Sequence, residues 1–422
     1  MAINISKRFS MFTLITVFLL LYLIPFNTHA INISGTVYTD EGLTPMADGR
    51  TVRLKANGAG DYTDLLDSGN GTYTLAAIPA QSNTVLTVFI DGAAEKGTTV
   101  MVSDGADINN LHIYQNHIIV RNYVDGYIDL NQMSCYDKDQ DTDILFDADI
   151  AGAYTLTVDP SNEFYIWPDC YFFAAFLTGS SIIVENIKIL GTYSAVWTFP
   201  TTYVSGNWTN LGVFQNDWGM GAVIFNATSG TKYITSSGAS IFSDVYFNDG
   251  GGGATWILED NLVVNDPVNI NSSRLTITSG TFDVNASENN AINLEGSWTN
   301  NGTFLARNGT VILDNDAAQS GTITSGSSPF YDLTINPSAA ATYTLEDTLE
   351  LNNNLTISAG TLDTKLGENN SIRVEGNWTN SSTFRARNGT VTFDDDQANS
   401  RTITSGGSSF YNLAINPSAA AT

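Results

Sequence analysis

A chain of 422 residues is too long for one ordinary core, so more than one structural unit is expected. Its 43 acidic residues outnumber 17 basic ones, and two of the basic but none of the acidic residues lie among the first thirty, leaving a net charge of −28 on the remainder. Such a charge repels nucleic acid and anionic lipid, so no nucleic-acid partner is expected.

The first thirty residues read as a secretory signal peptide. Lys7 and Arg8 supply a positive start, Met11 to Phe26 an apolar run, and Thr28-His-Ala30 the small residues of a cleavage site. This predicts a secreted, extracellular or cell-surface location. No later apolar stretch is long enough to cross a bilayer as a helix, so no transmembrane helix is expected in the mature chain. Export would permit a disulfide between the two cysteines, Cys135 and Cys170.

Residues 31–107 alternate apolar and polar side chains in short runs: Ile33-Ser-Gly-Thr-Val-Tyr, Thr51-Val-Arg-Leu, Gly71-Thr-Tyr-Thr-Leu and Val85-Leu-Thr-Val-Phe-Ile. Asp48-Gly, Asn57-Gly and Asn70-Gly separate them, the pattern of a small β-sandwich with tight turns. Ser34-Gly-Thr-Val, Val52-Arg-Leu and Gly71-Thr-Tyr-Thr-Leu with Ile78-Pro resemble the carboxypeptidase-regulatory-like and Cna-B-like family of transthyretin-type sandwiches over about residues 31–95. The resemblance implies a stalk or spacer module of secreted and surface proteins.

Residues 108–205 form a divergent β-rich entry segment. Within it Asp137, Asp139, Asp141 and Asp143 alternate like the start of a calcium loop. The EF-hand pattern fails, because Thr142 stands where a Gly is needed and Ala148 where a Glu is needed. A calcium site of another kind at these four acids is one reading, and a solvated acidic loop is the other. Calcium is the one cofactor the sequence suggests. His112 and His117, five apart, would point to opposite faces of a strand and so make a poor metal pair with each other.

Beyond residue 205 one phrase is written three times. Residues 376–422, which begin Gly376-Asn-Trp-Thr-Asn, repeat Gly296 to Thr342 at about 70% identity, without a gap. A degenerate copy starts at Gly206-Asn-Trp-Thr-Asn. The repeats are therefore 206–295, 296–375 and a truncated 376–422, anchored on Trp208, Trp298 and Trp378. Strand-like runs begin every 7–13 residues, and helical spacing is absent. The fold class is all-β: a small N-terminal β-sandwich followed by a parallel β-helix of about four coils per 80-residue repeat. The alternative is a row of tandem Ig-like β-sandwiches. Asn353-Asn-Leu-Thr-Ile-Ser-Ala-Gly-Thr-Leu-Asp resembles phrases of autotransporter and filamentous-haemagglutinin-like adhesins, which implies a bacterial surface solenoid. Thr422 corresponds to Thr342, where the upstream copy runs on into a strand, so a fragment of a longer array is expected.

Chemistry is weighed against this repetition. Of the acids Asp394 to Asp396, the first and last have acidic counterparts, Asp314 and Asp316, eighty residues earlier, and a catalytic pair is not expected to recur with a repeat. Arg307 and Arg387 also recur, beside acidic turns, and suit salt bridges between coils. The expected function is a secreted or cell-surface structural, adhesin-like scaffold without catalysis. Trp208, Trp298 and Trp378 would form a sugar platform if exposed, giving a carbohydrate-binding array with an extracellular glycan partner; if buried, they fill the core. A carbohydrate-active enzyme with its site in 110–200 is the third reading.

Overall fold

The computed structural model describes residues 30–417, apart from 123–125, 153, 175–178, 196–199, 216–220, 238–239, 249–250, 266–272, 316–318, 338–339 and 398. The signal-peptide reading, up to residue 29, lies outside the described residues. Among these residues no helix is long and apolar enough to cross a membrane.

Eight strands and one short helix open the chain. They are β1 Ala30–Tyr38, β2 Thr51–Ala56, β3 Ala59–Leu65, β4 Thr72–Pro79, β5 Ser82–Asp91, β6 Thr98–Asp104, β7 Ile113–Tyr114, β8 His117–Asn122 and α1 Leu130–Met133. β4, β1 and β7 make one sheet, antiparallel at β1–β4 and parallel at β1–β7. Across a core of Ile33, Val37, Leu54, Leu75, Ile90 and Met101 this sheet packs on β2, β5 and β6. Each such aliphatic side chain taken out of water contributes about 1.5–3 kcal/mol.

This sandwich is not a separate bead. β5 is buried on both faces: Leu86, Val88 and Ile90 point into the sandwich, whereas Val85 and Phe89 point the other way, into the long core of the repeats. β6 pairs parallel with β8, and β8 pairs parallel with Glu163–Ile166, so the second sheet of the sandwich runs straight into the solenoid. The boundary read at residue 107 also moves. Ile108 bridges to Ile33, and Ile113–Tyr114 completes the N-terminal sheet. Leu130 and Met133 of α1, with Tyr136, cover the rest of the solenoid's first end; Asp129 starts that helix with a capping box to Gln132.

From there the chain is a parallel β-solenoid of about 13 turns. The parallel ladders exclude the tandem Ig-like alternative, which needs antiparallel sheets. Each coil visits three faces in a fixed order. The first face is a twelve-stranded sheet from Phe146–Asp149 to Thr383–Arg385. The second begins at the sandwich and reaches Thr303–Leu305; its place in the later coils is taken by Leu349–Leu351, Ile372–Val374, Thr390–Phe393 and Asn412–Ile415. The third runs from Tyr171–Phe173 to Ile403–Thr404 in two sheets. Strand residues alternate as the pleat requires, so Ile292 and Leu294 point inward around Asn293, and Leu355 and Ile357 around Thr356.

The sequence repeat and the coil do not coincide. Trp208 lies on the second face between Ile187 and Ile234, Trp298 on the first between Leu275 and Ile323, and Trp378 on the third between Leu355 and Ile403. Counting the single bridge at Phe330 as a strand position, each step from Trp to Trp crosses eleven positions. Eleven positions at three per coil make three and two-thirds coils, not the four expected. Every copy is therefore set back one face relative to the copy before it. The other strands obey the same rule: Thr310–Leu313 is on the third face, and its counterpart Thr390–Phe393 is on the second.

Candidate functional site

The three tryptophans do not form a sugar platform. Their exposures are 0% for Trp208, 0% for Trp298 and 1% for Trp378. Each builds the same buried corner. Trp208 meets Phe214 at 5.0 Å and Phe242 at 5.4 Å; Trp298 meets Phe304 at 4.7 Å and Phe330 at 5.2 Å; Trp378 meets Phe384 at 4.8 Å and Phe410 at 5.2 Å. In each trio the Trp sits edge-on to the nearer Phe, the arrangement favoured by the ring quadrupoles. The platform reading fails because the Trp falls at an inward position of its strand, where a ring fills the coil.

The rest of the phrase is structural too. A Cβ on Gly296 would lie 1.5 Å from the Ser273 carbonyl oxygen, so only glycine passes there. Asn300, two residues beyond Trp298, is buried at the next bend. Its amide donates to Ser325 O at 2.8 Å and Ser328 Oγ at 3.0 Å, and its oxygen accepts from Gly302 N at 3.0 Å. Asn380 repeats this with Ser405 O at 2.8 Å and Ser382 N at 3.0 Å. In the sequence these bend asparagines are marked by their recurrence beside Ser-Gly turns. Asp347 closes those turns from the next coil, accepting from Ser325 N at 2.8 Å and Gly326 N at 2.7 Å, and Asp260 does the same for Ser236 N at 2.7 Å.

Arg307 and Arg387 make the expected pairs between coils. Arg307 donates from Nε at 2.9 Å and Nη2 at 2.6 Å to Asp283, and Arg387 at 2.8 and 2.5 Å to Asp363. Both arginines hold a left-handed backbone, φ 50° and 47°, which turns the side chain back over the preceding coil. The Arg387 guanidinium holds the Asp363 carboxyl below its ordinary range.

The four alternating acids do not converge on one point. Residues 137–144 fold into successive tight turns, with Asp141 N donating to Asp137 O at 3.1 Å and Ile144 N to Asp141 O at 3.0 Å, so every second side chain no longer faces one way. Asp143 turns to the Lys96 ammonium and Gly92 N–H; burial opposes ionisation there, but these donors still bring its carboxyl below the ordinary value. Asp141 caps Asp143 N at 3.0 Å and accepts the Tyr136 hydroxyl at 3.3 Å. Asp137 and Asp139 gather instead with Asp147 of the strand Phe146–Asp149, one carboxylate oxygen of each lying within 4.8 Å of the other two. Asp137 is buried, and its carboxylate accepts Asp139 N at 3.1 Å and Ala148 N at 3.2 Å. Burial pushes the Asp137 and Asp147 carboxyls up. A cation at this loop would be held by Asp137, Asp139 and Asp147 rather than by the four alternating acids.

The disulfide is not formed either. Cys170 is buried in the solenoid core, whereas the half-buried Cys135 turns its sulfur to Asn131 O at 3.4 Å, and both thiols are free. Burial pushes both thiols up, which makes them poor nucleophiles at neutral pH. Beside Cys135 a cavity of about 360 Å³ opens where the sandwich meets α1, lined by Val85, Val102, Tyr127, Asn131, Gln132 and Cys135.

Comparison with known proteins finds no matching family model, no matching curated protein and no matching solved structure. The two resemblances noted in the sequence thus rest on their short motifs.

Proposed function

We propose that this chain is an extracellular structural scaffold, secreted or held at the cell surface, that acts as a stiff acidic stalk without catalysis. One observation carries the reading: the residues that recur with the repeat are spent on holding coil to coil. The Trp–Phe–Phe corners, the bend asparagines and the Arg–Asp rungs all face other coils. What remains for a partner is the outer surface and the acidic charge. The partner in this reading is a surface polymer such as a glycan, met by many weak contacts.

The set-back of one face per repeat shapes that contact. With strands about 4.8 Å apart, equivalent outer surfaces lie about 18 Å apart along the rod, each on a different face. A flat partner cannot meet consecutive copies in line. Multivalency then comes from bundled rods or from a partner that winds around one.

Protease shaving of intact producing cells tests display: the chain should be cleaved without lysis. Excision of residues 297–376 rejoins homologous positions and removes three and two-thirds coils. It should weaken glycan-array binding without changing which glycans bind. Loss of all binding would place a discrete site in that repeat. Depolymerisation of a glycan, abolished by one Asp→Asn change, would make the chain an enzyme and end the scaffold reading.

A further inference from the structure

A second group of metal-ligating side chains lies outside the acidic loop, where the N-terminal sheet overhangs the second face. Glu163 is the register partner of His117 on the neighbouring coil. Glu41 arrives from the loop after β1, which Asp40 pins by accepting Leu43 N at 2.8 Å and Thr44 N at 2.9 Å. One ligand atom from each of Glu41, His117 and Glu163 lies within 4.8 Å of the other two. The three come from positions 41, 117 and 163, and no local spacing in the sequence marks them.

The histidine is oriented for the task. Its Nδ1 lies 2.6 Å from the Gln115 carbonyl oxygen, which can only accept, so Nδ1 carries a proton. Nε2 then faces the Glu163 carboxylate at 3.2 Å. In a neutral ring that nitrogen presents a lone pair to a carboxylate, which is repulsive unless a cation, proton or metal, lies on it. The edge-on rings of Tyr114 at 5.7 Å and Tyr165 at 6.0 Å fix the imidazole plane. A ring N–H held by a backbone carbonyl, with the other nitrogen aimed at carboxylates, is how proteins prepare a histidine for a metal. The 3.2 Å edge also suits a tetrahedron with metal–ligand bonds of about 2.0–2.1 Å, whose ligands lie about 3.3 Å apart.

We propose that Glu41, His117 and Glu163 bind a divalent transition-metal ion, zinc foremost, which clamps the loop after β1 onto the first coils of the solenoid. One imidazole and two carboxylates suit zinc; calcium prefers oxygen alone. Water fills the fourth position. Lys188 is the built-in competitor. Its ammonium pairs with Glu41 and lies 5.7 Å from the Tyr165 ring centre. It neutralises Glu41 in the metal-free chain and swings away when the ion enters.

The test uses the full chain, stripped of metal and titrated with Co²⁺ and then Zn²⁺. The expected result is one Co²⁺ per chain with the visible absorption of a four- or five-coordinate ion, displaced by Zn²⁺, and a Zn²⁺-dependent rise in Tm. Glu41→Gln, on an exposed loop that tolerates the change, should weaken binding by at least about tenfold. His117→Gln should abolish it. Lys188→Gln should tighten it, an effect that a mere ion pair does not predict. Three results would overturn the proposal: no Co²⁺ signal beyond the aquo ion; Lys188→Gln lowering Tm equally with and without Zn²⁺; or binding that survives Glu41→Gln but is lost in Asp139→Asn, which would move the ion to the acidic loop.

Discussion

The junction at the first end of the rod and the repeat array beyond it are built by opposite rules. In the array almost every contact joins residues one coil apart: Asn300 to Ser325 and Arg307 to Asp283 span 25 and 24 residues. In the junction the partners are distant and met only once, as in Lys188 with Glu41 across 147 residues or Lys96 with Asp143 across 47. The array is thus an additive structure, in which each coil covers the one before it. Ile323, Leu333 and Ile335 are 0–1% exposed, whereas their counterparts Ile403, Leu413 and Ile415, in the last described coil, are 38%, 49% and 67% exposed. The difference teaches where to look for function. What depends on length belongs to the array, and what depends on a unique chemical group belongs to the junction.

The strongest way to break this comparison is at Phe89. It reaches from the sandwich into the solenoid core and stacks on Tyr136 at 6.0 Å. Phe89→Ala should cost about 3–5 kcal/mol in unfolding free energy, read by chemical denaturation. Hydrogen exchange should show protection falling in the sandwich and in the first coils together. If only the sandwich loses protection, the two are separate units and the shared core is not cooperative.

A smaller effect separates two buried tryptophans within the array. Trp256 donates its indole N–H to Asn248 Oδ1 at 3.0 Å, whereas the buried Trp298 N–H has no hydrogen-bond partner. Trp256→Phe leaves a buried amide oxygen without that donor, and Trp298→Phe removes an unsatisfied group. The first should be the more destabilising by about 1–2 kcal/mol, although both rings are equally buried. Equal losses would mean that ring volume alone decides, as for an aliphatic core.

Much of this was legible in the sequence. The alternation of Leu355, Thr356 and Ile357 gives a strand, and the eighty-residue recurrence with its short strand runs favours a solenoid over a row of sandwiches. The sequence leaves the burial of Trp298 as one of two readings, because the same ring suits a core and a sugar platform. The failures have a common cause. The phase of the repeat against the coil depends on how many bends the chain makes, and the sequence does not label a bend as a change of face. Alternating acids at 137–143 would face one way only along an extended segment, whereas the chain there turns on itself. Glu41, His117 and Glu163 come together because β1 pairs with β7 and β8 pairs with Glu163–Ile166, long-range events with no local sign.

The finest test asks whether the rungs really are equivalent on different faces. Asp283 belongs to the second face and Asp363 to the first, yet each meets its Arg through two bonds of nearly the same length. The arginines are partly exposed, so water screens each pair, and Asp283→Asn or Asp363→Asn should cost only about 1 kcal/mol. The two losses should agree in denaturation midpoint. The rung also has a pH signature. The folded-state pKa of Asp363 lies below its unfolded value of about 3.9, because Arg387 favours the charged form. Its contribution is therefore fully present above that unfolded value and is lost as pH falls through the lower folded one. Asp137 at the junction is shifted upward by burial and behaves oppositely, gaining stability as pH falls through its raised value. Region-resolved hydrogen exchange between pH 5 and pH 3 should show Asp363→Asn removing part of the acid sensitivity of the array while leaving the junction unchanged. An unaltered profile in the array would mean that its acid response comes from net charge and not from the rungs.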